Sequence, residues 1–267
     1  MIPSELNIPT GVAVDGAGNV YVADGGFTGG KHAIKKWTAS TGQVTTLMSF
    51  DHIVEGFAVD HSGNVYVADS ANDAILKWSA ATQQITTLVS FVVANRIALD
   101  AAGNVYFVDR NAGVVRRWNA STGQIVTLIG LPLFFPSGLA VDAAGNVYVA
   151  DTYHNAIAKW DASLQQVTGP RVDGLYRPES VAVDTSGNVY IVDRRQEIKV
   201  WIAAAQQGKK LLIPEVIFPW DIAVDVNWGR WFGRHESSHI RRAGLACAPP
   251  RSLPAARSSS LRATSLK

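Results

Sequence analysis

The heptapeptide GNVYVAD occurs at 18–24, 63–69 and 145–151, and returns as GNVYFVD at 103–109 and GNVYIVD at 187–193. Few features constrain a fold as tightly as one strand spelled five times. An Asp ending an AVD-like run precedes each copy. These are Asp15, Asp60, Asp100, Asp142 and Asp184, with a sixth at Asp225, spaced 45, 40, 42, 42 and 41 residues apart. Each unit reads alike: GVAVD, a short turn, GNVYVAD, a variable loop, a run such as AIKKW, a turn, and a run such as QVTTL. Four short runs rich in Val, Ile, Tyr and Trp between Gly, Asn, Asp and Ser clusters predict four antiparallel strands per unit. The D-x-x-G-N connection predicts a tight hairpin whose Gly adopts positive φ.

A four-stranded sheet of this size cannot bury both of its faces alone, but copies set radially bury each face against a neighbour. The third strand ends in Trp37, Trp78, Trp118, Trp160 and Trp201, and a residue used once per sheet is expected to pack between adjacent blades. Five units plus a sixth starting at DIAVD (221–225) predict an all-β, six-bladed β-propeller of four-stranded antiparallel blades over residues 1–243. The sixth blade is expected to be irregular or incomplete and the ring incompletely closed. HIRRA (239–243) still resembles a third strand, but the fourth-strand position falls on PPRSL, where Pro249 and Pro250 cannot donate ladder hydrogen bonds. The Arg/Ser/Ala-rich segment 244–267 is expected to be a disordered basic tail.

Charge divides the chain in the same place. Residues 1–226 hold 16 Lys/Arg against 21 Asp/Glu, a net −5, whereas 227–267 hold 8 against 1, a net +7. Basicity therefore belongs to the tail, and with no aromatic interleaving after Phe232 it recommends no nucleic-acid surface. A single Cys247 excludes an internal disulfide framework and a Cys-based zinc site. The apolar runs are strand-sized, so no membrane-spanning helix is expected. The opening MIPSELNIPTG carries no signal-peptide pattern.

The pattern P-x-G-V-A-V-D-x-x-G-N-V-Y-V-A-D, a loop, then I-x-K-W, resembles the NHL repeat over roughly residues 8–225. The resemblance is to bacterial NHL proteins, among them the extracytoplasmic sensor domains of receptor Ser/Thr kinases. It implies a scaffold or sensor module and allows an extracytoplasmic parent, and leaves the compartment open.

A residue present in every unit recurs around a ring, whereas a reaction centre needs unlike groups meeting at one place. The repeated aspartates are therefore expected to cap turns and loops, and function is expected where the units differ. The variable segments all emerge at one face. The residues before each innermost strand, Thr10, Glu55, Asn95, Ser137, Glu179 and Trp220, would ring a central mouth. Of these, Glu55, Asn95 and Glu179 are candidate oxygen ligands for calcium, although the glutamates equally suit rim residues paired with Arg96 or Arg177. His32, His52 and His154 raise a zinc alternative without recognisable ligand spacing. Phe134, Phe135, Tyr153, His154, Tyr176, Arg177 and Trp220, with the mouth residues, form the candidate binding face, because aromatic and Arg residues are enriched at interfaces. The first reading is a non-enzymatic scaffold or sensor that binds a protein, peptide or glycan-like ligand; a metal-dependent propeller hydrolase or lyase, resembling lactonases or amidating lyases, is the alternative. An open blade edge would also invite dimerisation.

Overall fold

The computed structural model describes residues 6, 9–25, 32–54, 56–130, 132–170, 172–195, 197–211, 222–225, 230–234 and 240–244. Strands follow the repeat. The first blade is β1 (Pro9–Val14), β2 (Val20–Asp24), β3 (His32–Trp37) and β4 (Val44–Phe50). The second is β5 (Gly56–Val59), β6 (Val65–Asp69), β7 (Ala74–Trp78) and β8 (Ile85–Ser90). The third is β9 (Ala94–Leu99), β10 (Val105–Asp109), β11 (Val114–Trp118) and β12 (Ile125–Ile129). The fourth is β13 (Pro136–Val141), β14 (Val147–Asp151), β15 (Ala156–Asp161) and β16 (Gln166–Thr168). The fifth is β17 (Pro178–Val183), β18 (Val189–Asp193), β19 (Glu197–Ile202) and β20 (Gln207–Leu211). Each is a meander in which consecutive strands pair antiparallel.

The expectation of six blades is corrected here: the propeller has five four-stranded blades. The remaining described strands, β21 (Ile222–Asp225), β22 (Arg230–Arg234) and β23 (Ile240–Gly244), form a three-stranded sheet. The sixth AVD run does form a strand, but a blade of this kind needs a fourth, and the segment read for it, PPRSL, lies outside the described residues, as does the tail 245–267. The innermost strands β1, β5, β9, β13 and β17 stand side by side, and β21 lies against both β17 and β1. The inner strand read at DIAVD thus stands between the first and fifth blades.

The core lies between blades. Tyr21, Ala23 and Ile34 of the first blade pack on Val65, Val67 and Trp78 of the second. Trp118 packs on the cluster between the second and third blades, Trp160 on the next, and Trp201 on that between the fourth and fifth. The VYVAD strands are buried along their whole length because both faces meet neighbours. Backbones approach closely near the axis. A Cβ on Gly138 would lie 2.9 Å from Ser180 Cα, so this innermost position admits little bulk.

At the end of each blade away from the variable loops, one hydrogen-bonded bracket recurs. In the fourth blade Asp142 Oδ1 accepts the N–H groups of Ala144 and Asn146, at 3.0 and 2.9 Å. Its Oδ2 accepts from Asn146 Nδ2 at 2.8 Å and from the Tyr148 hydroxyl at 3.1 Å. Asn146 Oδ1 in turn accepts the Ala162 N–H at 2.9 Å, tying in the turn between β15 and β16. Asp15, Asp60, Asp100 and Asp184 build the same bracket with Tyr21, Tyr66, Tyr106 and Tyr190. The turn is completed by Gly145 at φ +81°, where a side chain would be strained. The expectation that these aspartates cap turns is met, and tyrosine joins them.

Burial, first of all, raises the Tyr21, Tyr66, Tyr106 and Tyr148 hydroxyls above their ordinary value, and the bracket carboxylates add to the rise. The folded chain thus keeps these phenols neutral at a pH where the unfolded chain ionises them. Their contribution to stability is intact below about pH 10 and is lost as pH rises beyond it. Urea unfolding midpoints should stay level from pH 7 to 9 and drop above pH 10.5, with a smaller drop in Tyr148→Phe. In the same assay at pH 7, Asn146→Ala should destabilise the fold by about 1–3 kcal/mol, because it strips the Ala162 N–H and Asp142 of partners.

Candidate functional site

At the opposite ends of the strands, a depression of about 1010 Å³ opens over the axis. Thr10, Asn95, Ser137 and Glu179 line it together with Arg96, Arg110, Phe134, Phe135, Tyr153 and Arg194. Four of the six mouth positions read from the sequence are therefore brought together. The other two, Glu55 and Trp220, lie outside the described residues. Beneath it a narrower space of about 130 Å³ follows the axis between the innermost strands.

The mouth residues mostly hold one blade to the next. Thr10 Oγ1 donates to the Val54 carbonyl at 3.0 Å. Asn95 Nδ2 donates to the Pro136 carbonyl at 3.4 Å, and Ser137 Oγ to the Pro178 carbonyl at 3.1 Å. Thr152 Oγ1 donates to that same carbonyl at 2.8 Å. The Asn95 Oδ1 is buried and finds no hydrogen-bond partner among the described residues. Glu179 pairs with Arg194, not with Arg177 as its sequence position suggests, and this carboxylate raises the Arg194 guanidinium further above its ordinary value.

The repeated Asp at the end of each VYVAD-like strand is buried, and it pins the variable loops. Asp151 Oδ1 accepts the Phe134 N–H at 2.8 Å, while its Oδ2 meets His154 Nδ1 at 2.8 Å. Asp193 accepts the Tyr176 N–H at 3.3 Å and the Arg195 N–H at 3.0 Å, and its charge is met by Lys199 at 3.0 Å. Asp69 faces His52 Nε2 at 2.9 Å, and the other ring nitrogen of His52 meets Asp51 at 2.8 Å, which holds Asp51 below its ordinary value. His52 and His154 thus each serve their own blade. Among the described residues no three His, Cys, Asp or Glu side chains are grouped to hold a metal ion.

What these anchors present is a contiguous aromatic belt on the fourth and fifth blades. Phe134, Phe135, Tyr153 and Tyr176 are 48%, 56%, 40% and 42% exposed. The Phe134 and Phe135 rings lie 5.4 Å apart, and Tyr153 sits 5.0 Å from each. His154 closes one end, 5.8 Å from Phe134. The Arg177 guanidinium stacks over Tyr153 at 4.8 Å and lies 5.7 Å from the Tyr176 ring, which Arg195 also covers at 5.4 Å. Phe135 and Arg177, each just before a proline, hold left-handed φ values of 53° and 47°. Such backbone costs about 1–3 kcal/mol per residue and gathers at functional sites. Sequence reading found six belt residues but missed Arg195, and Arg194 beside it. The signal was present, since only the fifth unit follows its heptapeptide with two arginines.

A profile of the NHL repeat matches residues 135–160, the loop before β13 through most of β15. Among solved structures, a chain in the crystal structure of a nidogen–laminin complex superposes with a TM-score of 0.69 at 21% identity, covering 81% of this chain and 84% of that one. Virginiamycin B lyase from Staphylococcus aureus superposes at 0.62 with 16% identity, over 89% and 84% of the two chains. A streptogramin B lyase gives 0.64 at 15%, over 89% and 83%. No curated protein matches the sequence. The chain is a β-propeller that carries an NHL repeat at 135–160, and at these identities the likeness to the solved structures is one of fold. No helix among the described residues is long and apolar enough to cross a membrane.

Asp151→Ala should leave the Phe134 N–H unpaired and free His154. Amide exchange measured by NMR should quicken at Phe134 by at least tenfold, while exchange in the Asp142 bracket stays unchanged.

Proposed function

We propose that this propeller is a non-enzymatic scaffold or sensor module that binds a protein or peptide ligand through its variable-loop face. The belt formed by Phe134, Phe135, Tyr153, Tyr176, Arg177 and Arg195 carries this reading. It is a continuous exposed surface of the residue types that dominate interface energetics, held rigid by buried carboxylates. Its fold relative in a nidogen–laminin complex supports protein binding by such a wheel.

A metal-dependent hydrolase or lyase centred on the mouth is the competing reading, and fold relatives that are lyases favour it. The donor chemistry favours it less. Glu179 is engaged by Arg194, the amide of Asn95 faces the Pro136 carbonyl, and the mouth hydroxyls hold blades together.

The test is selection of a random-peptide display library on the immobilised protein. Enriched peptides should bind Phe134→Ser and Tyr153→Ser at least tenfold more weakly, while Val126→Ser, on the outer strand β12, should bind as the unaltered protein does. Binding indifferent to both belt substitutions, or about one tightly held calcium or zinc ion per chain that Glu179→Gln releases, would overturn the proposal.

A further inference from the structure

We infer that the belt selects an acidic, extended peptide, with the Arg177 and Arg195 guanidinium groups each taking a carboxylate. This inference rests on the binding reading above and narrows it to a ligand chemistry. The two arginines differ from their neighbours in what they face. Among the described residues neither makes an ion pair, whereas the carboxylates beside them are already engaged. Glu179 is held by Arg194, Asp193 by Lys199, Asp151 by His154, and Glu197 by Lys210. Among the described residues, then, both guanidinium groups keep their hydrogen-bonding edges out of any ion pair at the place where the aromatic surface is exposed, and Glu197 acts on Arg195 only through the longer-range field.

Both guanidinium groups are positioned in advance. Arg177 is fixed through its backbone, where its N–H donates to Asn155 Oδ1 at 2.8 Å, linking the loops of the fourth and fifth blades. Its φ of 47° and its place against two tyrosine rings leave little freedom to lose on binding. Arg195 is fixed likewise, its N–H on Asp193 and its guanidinium over Tyr176. A guanidinium stacked by its face keeps its N–H edge available, and that edge matches a carboxylate with two parallel hydrogen bonds. The two groups share one ring, Arg177 at 5.7 Å and Arg195 at 5.4 Å from the centre of Tyr176, and alternate side chains of an extended peptide lie roughly 7 Å apart. Acidic residues at positions i and i+2 therefore suit the pair, with the residues around them lying on Phe134, Phe135 and Tyr153. A nucleic acid suits it less. Phosphate chains draw affinity from many cationic contacts along a groove, and residues 1–226 carry a net −5.

Fluorescence anisotropy at 50 and 300 mM salt tests this with a labelled Glu-Thr-Glu-Phe-Glu peptide, its Gln-for-Glu counterpart, an oligogalacturonate and an oligouridylate. The acidic peptide should bind, weaken with salt and lose roughly three- to tenfold of its affinity in Arg177→Gln and again in Arg195→Gln. Arg177→Lys, which keeps the charge but loses the fork, should recover only part of it. The Gln peptide should bind at least tenfold more weakly. Equal binding of the Gln peptide, or tighter binding of the galacturonate or uridylate, overturns the inference. Display-selected peptides that need Phe134 and Tyr153 yet carry no acidic residues would sink it while leaving the binding reading intact. Failure of every peptide, selected or synthetic, would remove both.

Discussion

The carboxylate that ends each innermost strand governs the architecture. Asp142 gathers two backbone N–H groups, one amide and one phenol, and through Asn146 reaches the turn beyond β15. One short side chain thereby fixes both turns at one end of a blade. The Asn146 N–H, the Asn146 amide and the Tyr148 hydroxyl would otherwise be partly buried donors without a partner, each costing about 1–3 kcal/mol. Five such brackets hold five sheets in one shape, so that Tyr and Trp surfaces can meet across every gap between them.

That rigidity at one end is what permits variety at the other. The second repeated aspartate, exemplified by Asp151 and Asp193, lies at the boundary. Its position is constant because its strand is buried on both faces, but its partners change with the loop above it. Asp69 meets histidine, Asp109 arginine and Asp193 lysine. In the fourth and fifth blades it also receives the N–H of the aromatic residue that the loop exposes. Bulky residues in left-handed backbone, Phe135 and Arg177, are tolerated there because the loops are tied down at several points. The aromatic belt is accordingly a product of the invariant frame and not of loose loops laid over it.

Much of this was legible from the chain alone, because repetition converts a weak strand signal into a strong one. The blades, their hairpins, the inter-blade tryptophans and the turn-capping aspartates all follow from local pattern. The blade count did not. Asp225 repeats the mark of a blade, but a mark for the first strand says nothing about whether three more strands follow it, and two do among the described residues. The partners of the mouth residues were not legible. Asn95 and Glu179 suit oxygen ligands when aligned by register, yet spacing along a chain cannot reveal that the amide of Asn95 faces the Pro136 carbonyl or that Glu179 pairs with Arg194. Arg195 escaped notice because it follows a conserved-looking heptapeptide, and its stacking on Tyr176 joins two loops separated in sequence.

On the proposed function, identical residues build the wheel and binding occurs only where the blades differ. Hydrogen–deuterium exchange mass spectrometry, with and without a display-selected peptide, tests that claim most directly. Protection should rise in 132–137, 153–155, 175–179 and 194–195 and remain unchanged in the Asp–Asn–Tyr turns at the far end. Protection concentrated in those turns, around 15–19, 60–64 and 142–146, would contradict it.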